Sequence, residues 1–257
     1  MPFETIHGIR IYYEIHGEGD TIVLLHHGFG CTKMWKHIYP QLVEKGYRVI
    51  MYDRRGYGRS EKGADFQEFY ESERFCLESV RDLAALRKIL SLDVFHIIGH
   101  CEGGVIGLEY AVRYPKHIKT IVTSSTQCYS TMSMIEFNRL KLSKSFQDLE
   151  PDLRAKMIEW HGEAEAESSY NQFSKYGGAY GKGFFDLKPL LPSVTCPTLV
   201  LYPDRSMLFD VEQAVAFYRH LPRGELAVLP ACGHNTYEDR PEEYFRHVMA
   251  FLKRHNY

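Results

Sequence analysis

Two periods alternate along this chain. Ile9 to His16 alternates apolar and polar residues, as a strand with one covered face does, between His7-Gly8 and Gly17-Glu18-Gly19-Asp20. Thr21 to His26 is instead continuously apolar, which predicts a strand covered on both faces. Tyr47 to Tyr52, Asp93 to Ile98, Ile118 to Thr123 and Pro197 to Tyr202 read as further buried strands, and Glu225 to Leu229 as the last. Between them runs helical spacing. Met34 to Lys45 carries Trp35, Ile38, Leu42 and Val43 on one side before Gly46, and Phe75 to Leu90 carries Val80, Leu83, Leu86 and Leu90 on its inner face. Helices are also predicted at Gly104 to Arg113, Val211 to His220 and Pro241 to Arg254. Strands alternating with helices of this length predict an α/β fold, opened by an antiparallel hairpin and continued as a parallel sheet with right-handed crossovers.

The rhythm breaks after the strand at Ile118 to Thr123. Met134 to Gln147 and Asp152 to Ser168 are charged and helical, the run from Lys175 to Gly183 is rich in glycine, and no strand stands out before Pro197. The expected organisation is a core of residues 1–126 and 189–257, with residues 127–188 inserted as a helical cap over the carboxyl edge of the sheet. No internal repeat or low-complexity linker divides the chain.

Composition narrows the function classes. A formal net charge of −2 with both signs interspersed gives no reason to expect nucleic acid or an anionic membrane as partner. No apolar run approaches a membrane span, and the first residues have no signal-peptide pattern. The six cysteines (Cys31, Cys76, Cys101, Cys128, Cys196, Cys232) stand singly, without the paired spacing of a zinc site or a disulfide framework. The expectation is a cytoplasmic protein, monomer or homodimer, that acts on a small molecule without metal or cofactor.

The stretch Gly99-His100-Cys101-Glu102-Gly103 lies between a buried strand and a helix. Glycines on either side permit a sharp strand-to-helix reversal that crowds its neighbours and lifts the middle residue, Cys101, clear of the sheet edge. By itself the pattern also suits an inert cysteine in a tight turn.

Together with His27-Gly28, the loop Asp53-Arg54-Arg55-Gly56-Tyr57-Gly58-Arg59-Ser60 and Gly233-His234 in this order, that stretch resembles the α/β-hydrolase superfamily in its capped branch, with cysteine in the nucleophile position. The resemblance implies a mostly parallel eight-stranded sheet flanked by helices, Cys101 as nucleophile, His234 as general base, and an oxyanion hole built from the amides of Phe29 and Glu102. The Glu102 side chain reads as a solvated acid at a helix start. Trp35, His100 and Tyr129 are candidate substrate contacts, with core packing an equal alternative for Trp35 and packing beside the Gly99 to Gly103 turn, the family's nucleophile elbow, the main one for His100. Met132, Met134, Phe137, Trp160 and Tyr170 either line the pocket or form the inserted segment's own core. Asp53, Arg54 and Arg55 are expected to brace loops.

The third member of the expected triad departs from the family pattern. After the strand ending at Tyr202 the sequence runs Pro203-Asp204-Arg205-Ser206, which puts serine at the family's acid position. Asp204, Asp210 or no carboxylate at all are open alternatives, the last with Ser206 or a backbone group holding the imidazole. A thiol ionises far more readily than a hydroxyl, so a stored thiolate–imidazolium pair would depend less on an acid. The activity implied is hydrolysis of a small carboxylic ester, thioester or lactone through an acyl-enzyme. Acyl transfer from the same site, or a weakly catalytic ligand receptor on the same scaffold, are the alternatives.

Overall fold

The computed structural model describes residues 2–72, 74–176 and 183–255. In chain order the elements are β1 (Phe3–Ile6), β2 (Ile9–His16), β3 (Asp20–Leu25), α1 (Tyr39–Glu44), β4 (Tyr47–Tyr52), α2 (Phe66–Glu71), α3 (Arg74–Ile89), β5 (Phe95–His100), α4 (Glu102–Arg113) and β6 (Ile118–Ser124). There follow α5 (Met134–Lys141), α6 (Pro151–His161), α7 (Ala166–Tyr176), β7 (Thr198–Pro203), α8 (Glu212–His220), β8 (Gly224–Leu229), α9 (Thr236–Asp239) and α10 (Pro241–Arg254). The strands form one eight-stranded sheet in the order β1-β2-β4-β3-β5-β6-β7-β8. β1 and β2 are the antiparallel hairpin, turned at His7-Gly8, and β2 docks antiparallel on β4; every pairing from β4 to β8 is parallel.

The continuous apolar runs are explained by what covers them. In β3, Ile22 and Leu24 join a core with Leu42 of α1 and Val248 and Phe251 of α10, while Val23 and Leu25 join another with Val80 of α3 and Ile106 of α4. Both faces of the strand are thus apolar, and burial of each such side chain stabilises the fold by roughly 1.5–3 kcal/mol.

Two expected helices are broken, and a third, Met134 to Gln147, stops at Lys141 before a separate 3₁₀ turn at Phe146–Asp148. Met34 to Lys45 is a short 3₁₀ turn, Thr32–Trp35, followed by α1 from Tyr39. Pro40 has no N–H to donate to the preceding turn and so fits only in the first turn of a helix, where it stands second in α1. The stretch from Asp152 to Ser168 divides at Gly162, whose φ of 84° ends α6 before α7 begins. β1, α2 and α9 are too short to stand out in the pattern. Of the glycine-rich run from Lys175 to Gly183, residues 177–182 lie outside the described residues. The segment between β6 and β7 contains α5, α6 and α7 and, among the described residues, no strand beyond an isolated bridge between Tyr129 and Asp186.

The ends of β3, β5, β7 and β8 point the same way, so the segments 26–30, 101–102, 204–210 and 230–235 gather along the carboxyl edge of the sheet. In open parallel sheets this is where ligands bind.

Candidate active site

Cys101 sits between β5 and α4 with φ 50° and ψ −116°, a conformation that costs a residue with a side chain about 1–3 kcal/mol. The surroundings enforce it. A Cβ on Gly99 would meet the Gly103 carbonyl, and one on Gly103 would collide with the Leu25 carbonyl of β3. The Cys101 amide donates to the Ser124 carbonyl at 2.8 Å, and the Thr126 hydroxyl donates to the Cys101 carbonyl at 3.1 Å, so β6 and the chain after it pin the turn.

His234 comes to the same edge from the far end of the sheet. The turn after β8 is fixed by the Asp204 carboxylate, which accepts the Cys232 amide at 3.0 Å, and by the Arg205 amide, which donates to the Cys232 carbonyl at 2.9 Å. The Ser125 hydroxyl donates to the His234 carbonyl at 2.6 Å. The imidazole lies edge-on to the ring of His100, the residue preceding Cys101, with centroids 5.3 Å apart, and against Phe209 at 5.6 Å. Among the described residues no hydrogen bond joins the Cys101 sulfur to the ring. Ser206 Oγ is 3.1 Å from His234 Nδ1.

Asp204 is therefore not the imidazole's partner. Its carboxylate is turned to the Cys232 amide and to Arg205, which together hold it below the usual carboxylate range. Asp210 accepts the Glu212 amide at 2.9 Å at the start of α8 and also stays off the ring. The group at the family's acid position is the one on Nδ1, although it is a hydroxyl.

Electrostatics correct a second expectation. Burial pushes the Cys101 thiol up to about 12, helped by the adjacent Glu102 charge, and pushes the His234 imidazole down to about 4. A stored thiolate–imidazolium pair is thus disfavoured, and the site rests with thiol and imidazole both neutral. Glu102 is not solvated either: it is buried, and its carboxylate meets Arg54 Nη2 at 2.6 Å. Arg54 also donates to the carbonyls of His26 and His27, at 3.3 and 3.1 Å, which ties the elbow to the loop after β3. Asp53 braces the same region by accepting the amides of Thr32 and Arg59. Arg55 pairs with Asp65.

That loop holds one expected oxyanion donor in a different bond. The Phe29 N–H donates to Nδ1 of His27 at 3.1 Å, and the Phe29 carbonyl accepts from Nε2 of His161 at 2.7 Å. Since His161 Nδ1 in turn accepts the Gly58 amide at 3.1 Å, the last residue of α6 clamps two loops of the sheet edge. Nothing in the sequence around His161 signals this, because the partners are backbone groups more than a hundred positions away. The Glu102 N–H, first in α4, lies on the Cys101 sulfur and favours its ionised form against the larger effect of burial.

A small apolar cavity of about 30 Å³ opens on Cys101, lined by Glu102, Gln127, Met134, Phe137, Leu208 and Phe209 among others. Phe173 of α7 also lines it and lies on Gly28, where a Cβ would collide with its ring. A space of this size holds little more than a water molecule. The stacked rings of Phe137 and Phe209, 5.5 Å apart, line both this cavity and a neighbouring hollow of about 330 Å³ that contains Tyr129, Met132 and Ser206. Met134 and Phe137 line the cavity while also packing in the buried core, and Tyr129 and Met132 line the outer hollow. Trp35 is not a substrate contact: it is fully buried beside Tyr237. His100 is also buried, 2.8 Å from the Ser124 hydroxyl through Nδ1. Trp160 and Tyr170 are interior packing. Phe173, Leu208 and Phe209 are lining residues that the sequence does not announce, since each is an ordinary apolar position until the chain folds.

Among the described residues no helix is long and apolar enough to cross a membrane, and no cluster of His, Cys, Asp and Glu is arranged to hold a metal ion.

A family model described as alpha/beta hydrolase fold matches residues 20–151. A proline iminopeptidase of Clostridioides difficile (strain 630) is 39% identical over 132 residues, covering 49% of this chain and 42% of that protein. One from Lactobacillus helveticus (strain DPC 4571) is 34% identical over 54% of this chain and 47% of its own length, so the chain spans less than half of these two relatives. The Homo sapiens serine hydrolase BPHL is 26% identical across 96% of this chain and 84% of its own. Among solved structures, the enol-lactonase from Burkholderia xenovorans LB400 superposes with a TM-score of 0.78 at 19% identity, over 98% of this chain and 100% of that one. At that identity the likeness speaks for the fold alone.

Proposed function

The chain belongs to the α/β-hydrolase fold family, and from that premise we propose that it hydrolyses a small carboxylic ester, thioester or lactone with an apolar acyl group, through Cys101 and His234. The observation that carries this reading is the strained backbone of Cys101, φ 50°, at the mouth of an apolar cavity. Strain of this kind persists where the surroundings over-determine it, and here it holds Cys101 at the cavity, which supports a nucleophile's role for it. Cys101 attacks the carbonyl carbon, the thiol proton passes by way of His234 to the leaving group, and water activated by His234 then releases the acid from the acyl-thioester. The Glu102 amide and the Phe29 amide, the latter once it leaves His27, stabilise the oxyanion. Residues 127–188 act as the cap that shapes the acyl pocket.

The proline iminopeptidase likeness suggests a substrate with a proline end. The lining favours a neutral acyl group instead, because Glu102, its one described carboxylate, is already paired with Arg54. The alternative of a weakly catalytic receptor draws support from the engaged Phe29 amide and the neutral site.

A panel of activated esters of graded acyl length, run on the protein and on Cys101→Ala, separates these readings. Turnover of short apolar esters that is lost in the variant supports the hydrolase. No turnover on any ester, from protein shown to be folded by its melting curve, supports the receptor.

A further inference from the structure

Ser206 Oγ has three described partners. It accepts the amides of Leu208 and Phe209, each at 3.2 Å, and lies 3.1 Å from His234 Nδ1. A hydroxyl has two lone pairs and one proton. A backbone N–H can only donate, so the two amides take both lone pairs, and the hydroxyl proton is what remains for the ring. Were Nδ1–H the donor instead, three donors would crowd two lone pairs and the hydroxyl proton would have no acceptor among the described residues.

We infer that Ser206 is a positioning residue that donates to Nδ1 and so holds the resting neutral imidazole of His234 with its proton on Nε2, the reverse of the tautomer a carboxylate at this position would impose. This deepens the proposed function and rests on it only for its kinetic consequence. A carboxylate is acceptor only, fixes the proton on Nδ1 and leaves Nε2 free to take a proton from the nucleophile; the wrong tautomer in a triad of this logic costs up to about 10⁴ in rate. With Ser206 the base form must be reached first. The Nε2 proton leaves to water, a proton from water arrives on Nδ1, and the Ser206 hydroxyl turns away from the ring; proton count and charge are unchanged. The residue at the acid position thus throttles the reaction through which nitrogen carries the proton. A carboxylate has acceptor sites enough for the two amides and Nδ1–H together.

The test reads the tautomer directly. In ¹⁵N-histidine-labelled protein at neutral pH, two-bond ¹H–¹⁵N spectra assigned with His234→Gln report which ring nitrogen bears hydrogen. The expected result is an unprotonated Nδ1 in the wild type, a mixture in Ser206→Ala, and a protonated Nδ1 in Ser206→Asp. Alkylation of Cys101 by iodoacetamide is expected to rise roughly 10²-fold in Ser206→Asp. A wild-type ring protonated on Nδ1 overturns the inference, and a Ser206→Asp protein, folded by its melting curve, that alkylates no faster than wild type overturns its kinetic consequence. If Ser206→Asp does not fold, the wild-type and Ser206→Ala spectra still decide the tautomer. Hydrolysis that survives in Cys101→Ala defeats the proposed function and leaves the tautomer result standing.

Discussion

Arg54 and Glu102 meet at 2.6 Å with only 3% of either side chain exposed, directly beneath the turn that presents Cys101. Removing one member of such a pair leaves the other as an uncompensated buried charge, which costs about 3–5 kcal/mol. Glu102→Gln is therefore expected to lower the urea unfolding midpoint substantially. The same change removes a negative charge that raises the thiol's pKa. In the folded fraction, Cys101 alkylation at fixed pH is expected to be faster than in wild type.

Burial sets the pH behaviour. With the Cys101 thiol near 12 and the His234 ring near 4, neither group changes charge across the neutral range. The rate of iodoacetamide reaction at Cys101 is expected to climb steadily with pH from neutral to alkaline. A plateau near neutrality would instead report a stored ion pair.

Stability should show the complementary acid limb. His26, His27, His100, His161 and His234 are all held below the ordinary histidine value by burial. Their unfolded forms gain protons as the pH falls through about 6.5 while the folded forms do not, so the unfolded state binds more protons and stability rises with pH in that window. Full stability is expected above that value, with a progressive loss on acidification toward about 4, where His234 itself protonates. Thermal melts between those limits check the slope; a flat profile would mean that these rings are solvated.

Phe173 closes the space above Gly28 and lines the cavity at Cys101. Phe173→Ala is expected to accelerate alkylation of Cys101 and to extend the range of acyl lengths accepted. Lost packing costs roughly 1–3 kcal/mol of stability for this half-buried ring. Kinetics on a graded ester series, together with a denaturant melt, measure both effects.

The alternating and continuous apolar runs made the α/β architecture legible, because each strand's pattern reports how many of its faces are covered. The elbow was legible for a similar reason: Gly99 and Gly103 are local signs of a local crowding. Ser206 was visible as a departure in a counted position, yet which of the open alternatives holds His234 depended on where the 204 and 230–235 loops meet. The fate of Phe29's amide and the burial of Glu102 were not legible at all. The first depends on a ring rotamer at His27, and the second on Arg54 arriving from the loop after β4. Pro40 was present to be read, and its effect on the helix at Met34 to Lys45 is the local rule overriding an amphipathic pattern.

Catalysis through Cys101 requires its sulfur to carry the acyl group between the two half-reactions. Rapid acid quench during turnover of an activated short-chain ester, followed by intact mass and peptide analysis, tests it most directly. The expected result is a transient mass increase equal to the acyl group on the peptide containing Cys101, longer lived when His234 is replaced by alanine. Turnover that continues with no acyl mass on that peptide, and at an unchanged rate in Cys101→Ala, would contradict it.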